Sequence, residues 1–401
     1  MHKKLFIPGP VEVREEVLEK MATPMIGHRS KEASQLQRRI SDNLRKLFFT
    51  NNEILLSTTS GSGLMEGAIR SCTLKNAAVF SVGAFGDRWY EMGISNNVPV
   101  DKFEVPWGKS INVDLIDSVL KTGQYDLITV THNETSTGVM NDLEAISKVI
   151  RKYPEVIFCV DAVSSAGGSK IEVDKLNIDI CITSSQKALG LLIRKYPEVI
   201  FCVDAVSSAG GSKIEVDKLN IDICITSSQK ALGLPPEIAI CTFSERARER
   251  AEKVKFRGTY LDLLALYKYI KKKDYQYPST PSISHMYALD YQLDYILNVE
   301  GLENRFNRHI EMAKIVREWA EKYFEIYPEK EYYSNTLTTI KNNKNIDIGA
   351  LNKELGKRGF QISNGYGKLK DKTFRIAHMA DCQVKDIKEL LSNINEILEL
   401  E

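Results

Sequence analysis

No stretch of this 401-residue chain approaches the roughly 20 consecutive apolar residues that a membrane-spanning helix requires. Charge of one sign is lacking too: 54 Lys and Arg stand against 53 Asp and Glu, net +1. That removes the bulk electrostatic basis for binding nucleic acid or an anionic membrane. Local basic runs such as Lys271-Lys272-Lys273 read as solvated faces. Metal-type cysteine spacing is also missing. The seven cysteines reduce to five distinct ones, because Cys159 and Cys181 reappear as Cys202 and Cys224, and none forms a CxxC pair. Most sit in apolar, strand-like runs, which suits buried thiols in a reducing cytosol better than disulfides or a metal site. After the two lysines of MHKKLFIPGP there is no apolar core of about 7–15 residues, so no secretory signal is expected. These absences together predict a soluble, cytoplasmic protein long enough for two domains.

What is present is a repeat. Residues 150–191 recur without a change as residues 193–234, offset by 43 positions. Stacked solenoids need about three or more repeats, usually diverged, so two identical copies do not make one. The flanks do not repeat: Val149 precedes the first copy and Leu192 the second, and Pro235 follows only the second. An exact tandem copy points to a recent duplication, an engineered insertion or an assembly error. Without one 43-residue unit the chain would have 358 residues.

Through the first two-thirds, short apolar runs alternate with helical spacing. Glu53–Leu56, Ala77–Val82, Leu127–Thr131, Val156–Val160, Ile178–Thr183 and Ile238–Phe243 are predicted strands. Leu64–Cys72 and Asp142–Lys152 are predicted helices. This alternation predicts a mainly parallel sheet covered on both faces, with ligands beyond the carboxyl ends of its strands. After residue 262 a long helical tract, Ile283–Tyr323, breaks near Gly301. Strands at Thr336–Ile340 and Thr373–Ala377, a helix at Ile348–Arg358 and a last helix from Val384 read as a smaller α+β domain. The expected division is an irregular segment at 1–30, a large domain at 31–262 and a small domain at 263–401.

The polar motifs fall at strand ends. Thr58-Thr59-Ser60-Gly61-Ser62-Gly63, between a strand and a helix, is more often an ordinary cap than the phosphate cradle of backbone N–H groups that it could also form. THNETSTG, residues 131–138, is either a capped turn or a polar ligand site. Asp161, copied as Asp204, directly follows an apolar strand, where a carboxylate is costly to bury unless a cation meets it. Lys187, copied as Lys230, ends the next strand. An aspartate able to hold a pyridinium nitrogen protonated, and a lysine able to bond to an aldehyde, form the minimal apparatus of pyridoxal phosphate chemistry. Partial desolvation beside a cationic cofactor favours the neutral amine. Arg375, inside the run TFRIAHM, either lies on an exposed edge or meets an anion with its planar fork.

With these segments in order, the chain resembles the class V, fold type I aminotransferases, in particular the serine–pyruvate/alanine–glyoxylate group. The resemblance rests on PGPVEV, PMIGHRS, TSGSGLMEGA, GAFGDRW, HNETSTGV, VDAVSSAGG, SQKALGLPP, YPSTPSISHMYAL, GLENRFNRH and FRIAHM, which span residues 8 to 379. It implies a large domain with a seven-stranded, mainly parallel sheet between helices and a smaller C-terminal α+β domain. It implies pyridoxal 5'-phosphate as cofactor and ping-pong transfer from serine, alanine or aspartate to glyoxylate or pyruvate. Ser60, Gly61 and Ser62 would bind the cofactor phosphate, with Gln186 or Gln229. Phe85 would stack on the pyridine ring, Thr135 would bond its hydroxyl, and Asp161 or Asp204 its nitrogen. Lys187 or Lys230 would be the catalytic lysine, and Arg375 would hold the substrate α-carboxylate. Tyr277 and Thr280 would reach the phosphate of a neighbouring subunit in a homodimer. His28 and Arg29 are candidates for the pocket wall. No metal, nucleic acid or membrane partner is implied.

Two rivals stay open at this point. One is another reaction of the same class, phosphonate transamination (as of 2-aminoethylphosphonate) or cysteine desulfuration, the latter requiring a reactive cysteine on a mobile loop over the cofactor, for which Cys382, beyond the Arg375 strand, is poorly placed. The other is a chain inactivated by the repeat. Where one copy is extruded as a loop, extrusion after Lys187 crowds the cofactor, whereas extrusion near Ile150 or around 173–177 emerges at the far end of the sheet. Both benign choices use Lys230, followed by Pro235-Pro236.

Overall fold

The computed structural model describes residues 2–48, 50–131, 133–141, 146, 149, 157–162, 180–183, 202–204, 216–217, 223–330, 333–334 and 336–400. The predicted helix Asp142–Lys152 therefore lies almost wholly outside the described residues, as do Gln186 and Lys187.

The chain opens with β1 (Lys4–Phe6) and α1 (Glu15–Met21), followed by α2 (Lys31–Phe48). Alternation then begins: β2 (Glu53–Ser57), α3 (Gly61–Cys72), β3 (Ala77–Ser81), α4 (Ala84–Ser95), β4 (Val100–Glu104), α5 (Val113–Leu120) and β5 (Leu127–Thr131). A two-stranded hairpin, β6 (Asn133–Glu134) and β7 (Val139–Met140), follows at once. The first copy of the repeat contributes β8 (Ile157–Ala162) and β9 (Ile180–Thr183), and the second β10 (Cys202–Asp204) and β11 (Ile223–Ser227). After β12 (Ala239–Phe243) come α6 (Glu245–Lys253), α7 (Leu263–Lys272) and α8 (Ile283–Asp294).

The predicted long helix is broken where expected. A π-helical turn, Tyr295–Glu300, leads to Gly301 at φ +79°, a conformation glycine adopts without a Cβ penalty, and α9 (Leu302–Tyr323) restarts there. The remaining elements are β13 (Glu325–Ile326), β14 (Leu337–Lys341), α10 (Ile348–Lys357), β15 (Phe360–Asn364), β16 (Thr373–Ala377) and α11 (Val384–Leu398).

The main sheet runs in the order β2-β12-β11-β10-β8-β5-β3-β4, with β9 also paired to β8. That is nine strands, not the seven expected. The excess comes from the repeat: each copy places two strands in the sheet, so neither is wholly extruded as a loop. β3, β5 and β12 are buried at every position, as a sheet covered on two sides demands. α2 lays Leu36, Ile40, Leu44 and Leu47, all nearly fully buried, along one side at helical spacing.

The second sheet has the order β1-β15-β16-β14-β13. The first thirty residues are thus not irregular throughout: β1 pairs parallel with Phe360–Ile362, and Phe6 packs at 6.0 Å from Phe360. The short apolar run Leu5-Phe6-Ile7 lacks the length to announce a strand, and a distant partner supplies the edge. Three apolar clusters form among the described residues, the smallest being Val11, Leu337, Ala377, Met379 and Ala380. The first includes buried side chains from Leu263 to Ile296, so α7 and α8 pack with the large sheet. The second draws on Phe6 and on residues from Met312 onward.

Candidate active site

The parallel strands β3, β5, β8, β10 and β11 all end at one edge of the main sheet. β2 ends there as well, because it runs antiparallel to β12, which runs antiparallel to β11. Ser227 and Ser57 face the same residue of β12, Ala239, so the chains leaving β11 and β2 emerge level with each other. Those chains carry Gln229-Lys230 and Ser60-Gly61-Ser62. From the neighbouring strand ends come Phe85, Thr135, Asp161 and Asp204.

Lys230 sits on a turn of defined geometry. The Gly233 amide donates to the Lys230 carbonyl at 2.9 Å and the Leu234 amide to the Ser228 carbonyl at 3.0 Å. Ser228 Oγ donates to the Pro235 carbonyl at 2.7 Å and accepts from the Glu237 and Ile238 amides, both at 3.2 Å. This closure uses Pro235-Pro236, which only the second copy possesses. Lys230 Nζ donates to the carbonyl of Pro8. Gly9 has φ +128°, which side chains rarely adopt, and the end of the Lys230 side chain lies where its Cβ would be, 2.6 Å from Nζ.

At the start of α3, Ser60 adopts extended backbone and its side chain caps nothing, leaving the helix N-terminus to its backbone N–H groups. Arg88 Nη1 donates to Ser62 Oγ at 3.3 Å and its guanidinium lies 4.9 Å from the Phe85 ring. Buried Ser227 Oγ and Gln229 Oε1 have no hydrogen-bond partner among the described residues. Uncapped amides, hydroxyls, an arginine and unsatisfied polar atoms at the sheet edge that also carries Lys230 form a polar set that fits a phosphorylated pyridoxal.

Thr135 is buried in the β6–β7 turn beside a residue that sequence reasoning passed over. Glu134, fully buried, accepts from the amides of Phe85 (3.0 Å), Gly86 (3.2 Å) and Ser136 (3.0 Å), and from Ser136 Oγ (2.6 Å). It thereby locks the start of α4, and with it Phe85, onto the β5 end of the sheet. Burial pushes its carboxyl upward, opposed by the Ser136 hydroxyl and these amides. Its signal was the E of HNETSTG.

Arg375 lies on β16, between Thr339 and Ser363 in register, and is 8% exposed, so the exposed-edge alternative is removed. Its Nε donates to the Asn364 carbonyl at 3.1 Å. Burial pushes its guanidinium down to about 10, opposed by Tyr366 and Glu134. The Arg375 guanidinium is 5.7 Å from the Tyr366 ring, which stacks on Phe85 at 6.3 Å with planes 22° apart. Tyr366 therefore bridges the substrate-binding candidate and the ring-stacking candidate, and sequence gave no hint of it. Tyr277 is buried within its own chain, where desolvation, with Cys241 and Tyr260 nearby, raises its hydroxyl well above the ordinary value; Thr280 is exposed. Asp161 and Asp204 occupy strand positions opposite Thr131 and Ile225, respectively. Among the described residues no group of His, Cys, Asp and Glu could hold a metal ion, and no helix is long and apolar enough to cross a membrane.

Comparison with known proteins places this site in a family. The family description Aminotransferase class-V matches residues 12–192 and 187–369. An uncharacterized aminotransferase of Methanocaldococcus jannaschii is 34% identical over 396 residues, covering 97% of this chain and 91% of its own length. An L-aspartate–glyoxylate aminotransferase of Paracoccus denitrificans is 28% identical, covering 94% and 86%. The crystal structure of an alanine–glyoxylate aminotransferase from Nostoc sp. superposes with a TM-score of 0.80 at 25% identity, covering 99% of this chain and 96% of that one. The fold is thus that of the fold type I enzymes. The chain belongs to the class-V aminotransferases and is a pyridoxal-phosphate-dependent transaminase.

Proposed function

We propose that this enzyme moves an amino group from a small amino acid (serine, alanine or aspartate) to glyoxylate or pyruvate, using the second copy of the repeat. The observation that carries the choice of copy is the turn holding Lys230, closed through Ser228 onto Pro235 and level with the Ser60–Ser62 turn. The printed activities of the Paracoccus and Nostoc relatives support a glyoxylate acceptor. Bound pyridoxal phosphate supplies an electron sink for the substrate Cα. Ser60, Gly61, Ser62 and Gln229 hold its phosphate, Thr135 its ring hydroxyl and Asp204, in preference to Asp161, its ring nitrogen. Lys230 Nζ would take the proton from the substrate Cα and deliver it to the cofactor carbon that carried the aldehyde, the general base and acid of the transfer. Arg375 holds the α-carboxylate.

That the repeat is a tandem duplication within one family unit is supported by the two family matches, which meet at residues 187–192, the junction of the copies. The cytoplasm is the proposed location, and a homodimer the proposed assembly, with exposed Thr280 reaching the neighbouring phosphate and Tyr277 buttressing it from within. A boundary between large and small domains near Gly301 accords better with the two larger clusters than one at 262. Desulfuration is disfavoured, because burial pushes the Cys382 thiol up to about 12 and leaves little thiolate. The test is steady-state transamination with each donor and acceptor pair. Activity with glyoxylate and a small donor is expected; turnover confined to cysteine or an aminophosphonate contradicts the reading.

A further inference from the structure

The backbone that follows Lys230 is held by a buried polar cluster to which no role has been assigned above. Arg305, fully buried on α9, donates through Nη2 to the Ala231 carbonyl at 2.8 Å. Its Nη1 meets Glu300 Oε2 at 2.6 Å and Asp381 Oδ1 at 2.7 Å. Gln292, fully buried on α8, donates through Nε2 to the Leu232 carbonyl at 2.8 Å and to Asp381 Oδ2 at 2.9 Å. Arg14 closes the cluster, donating to Asp381 Oδ2 at 2.9 Å and Gln292 Oε1 at 2.6 Å. Gly233, at φ +74°, fits against it so tightly that a Cβ would lie 3.1 Å from both Asp381 Oδ2 and Gln292 Nε2.

Such a cluster is expensive to bury unless every member is satisfied. A core that needed only stability would do as well with apolar groups there. What this cluster supplies instead is direction: two carbonyls one and two residues beyond Lys230 are fixed by donors from α8 and α9. The same donors grip Asp381, six residues beyond Arg375. We propose that Gln292 and Arg305 are positioning residues that aim Lys230 and couple its turn, through Asp381, to the segment carrying the substrate-carboxylate site. The proposal rests on Lys230 being the catalytic lysine.

The test uses the intact enzyme with Gln292→Met, which keeps volume and removes both donors, and Arg305→Lys, which keeps the buried charge and loses the fork. Misaiming a catalytic group costs on the order of tenfold to a hundredfold in rate, so both variants are expected to lose that much kcat with KM for the amino donor nearly unchanged. In the cofactor-free protein, amides of residues 233–234 are expected to exchange hydrogen faster while those of β3 and β5 do not. A uniform loss of protection or an unchanged kcat in a folded variant overturns the positioning role. Should Gln292→Met not fold, Arg305→Lys carries the same two readouts. Borohydride reduction of the same wild-type sample, followed by peptide mapping, separates the two failures. Cofactor found on Lys187 overturns the premise. Cofactor on Lys230 with unmoved kcat and exchange overturns the positioning role alone.

Discussion

The two copies of the repeat are the same 42 residues in two different places. Each builds the same parallel strand pair in the same register: Cys159 opposite Ile180 in the first, Cys202 opposite Ile223 in the second. Local sequence therefore dictates the pair, and surroundings dictate everything else. The first copy's β8 lies against β5, near the Thr135 turn. The second copy's β11 lies against β12, and its continuation runs into Pro235-Pro236 and the Arg305–Gln292 cluster. The two also compete. One edge of β8 is taken by β5, and the other meets both β9, through Cys159, Asp161 and Ala162, and β10, through Val160. With β10 seated between β8 and β11, one extra strand separates the Lys230 turn from Thr135 and Phe85. Strands lie about 4.8 Å apart, so the two halves of the cofactor site are spread by about that much. An identical sequence thus forms the same strand pair with different neighbours in its two contexts.

The comparison breaks most completely at the lysines. Lys230→Ala is expected to abolish covalent attachment of the cofactor and its visible absorbance, and Lys187→Ala to leave both. The opposite pattern would transfer the site to the first copy.

Next in size is Asp381, whose partners Arg305 and Gln292 hold the carbonyls of Ala231 and Leu232 in the second copy. Burial opposes its ionisation, but Arg305 and Arg14 hold its carboxyl below the usual range. A carboxylate with a lowered folded pKa stabilises fully above its unfolded value of about 3.9, and that contribution is lost as pH falls through the folded value. Asp381→Asn takes from buried Arg305 one of its two carboxylate partners, Glu300 remaining, at a cost of about 3 kcal/mol. Denaturant titrations should show that loss at pH 7 and a much smaller one well below pH 3; an equal loss at both would refute the ion-pair account.

Arg375 lies outside both copies and serves whichever works, so it is the control. Arg375→Ala should retain the cofactor but lower kcat/KM for the amino donor by about 2–4 kcal/mol, tens- to several-hundred-fold. An unchanged kcat/KM would remove it from the substrate site.

The smallest effect is expected from relieving the competition. Deleting residues 192–234 leaves one strand pair for one edge, and spares the closure entropy of a 43-residue insert, about 3 kcal/mol. The 358-residue protein should melt higher and bind pyridoxal phosphate more tightly. A lower Tm would mean that the extra strands support the sheet rather than burden it.

Much of this was legible in the sequence because it is local. β5 and β16 stand at the predicted residues, and the break at Gly301 follows from a helical pattern interrupted by a glycine. What escaped depends on distant partners. β1 became a strand only because β15 offers an edge more than 350 residues away. Tyr366 gained its place by stacking on Phe85, from another part of the chain. Arg305 and Gln292 stood within or near recognisable motifs but acquire meaning only when the Lys230 turn is set against them. The ninefold sheet could not be foreseen either, because sequence favoured extruding a copy while the structure finds room for strands of both.

The most direct measurement is to fix the cofactor with borohydride, digest with trypsin and weigh the labelled peptide. A modified lysine resists cleavage, so the fragment carries its own continuation and reports its copy. Label on Lys230 gives the fragment Leu219–Arg246, which contains Pro235-Pro236, whereas label on Lys187 gives Leu176–Arg194, which lacks them. The account predicts the first; recovery of the second, or of both in equal amount, would contradict it.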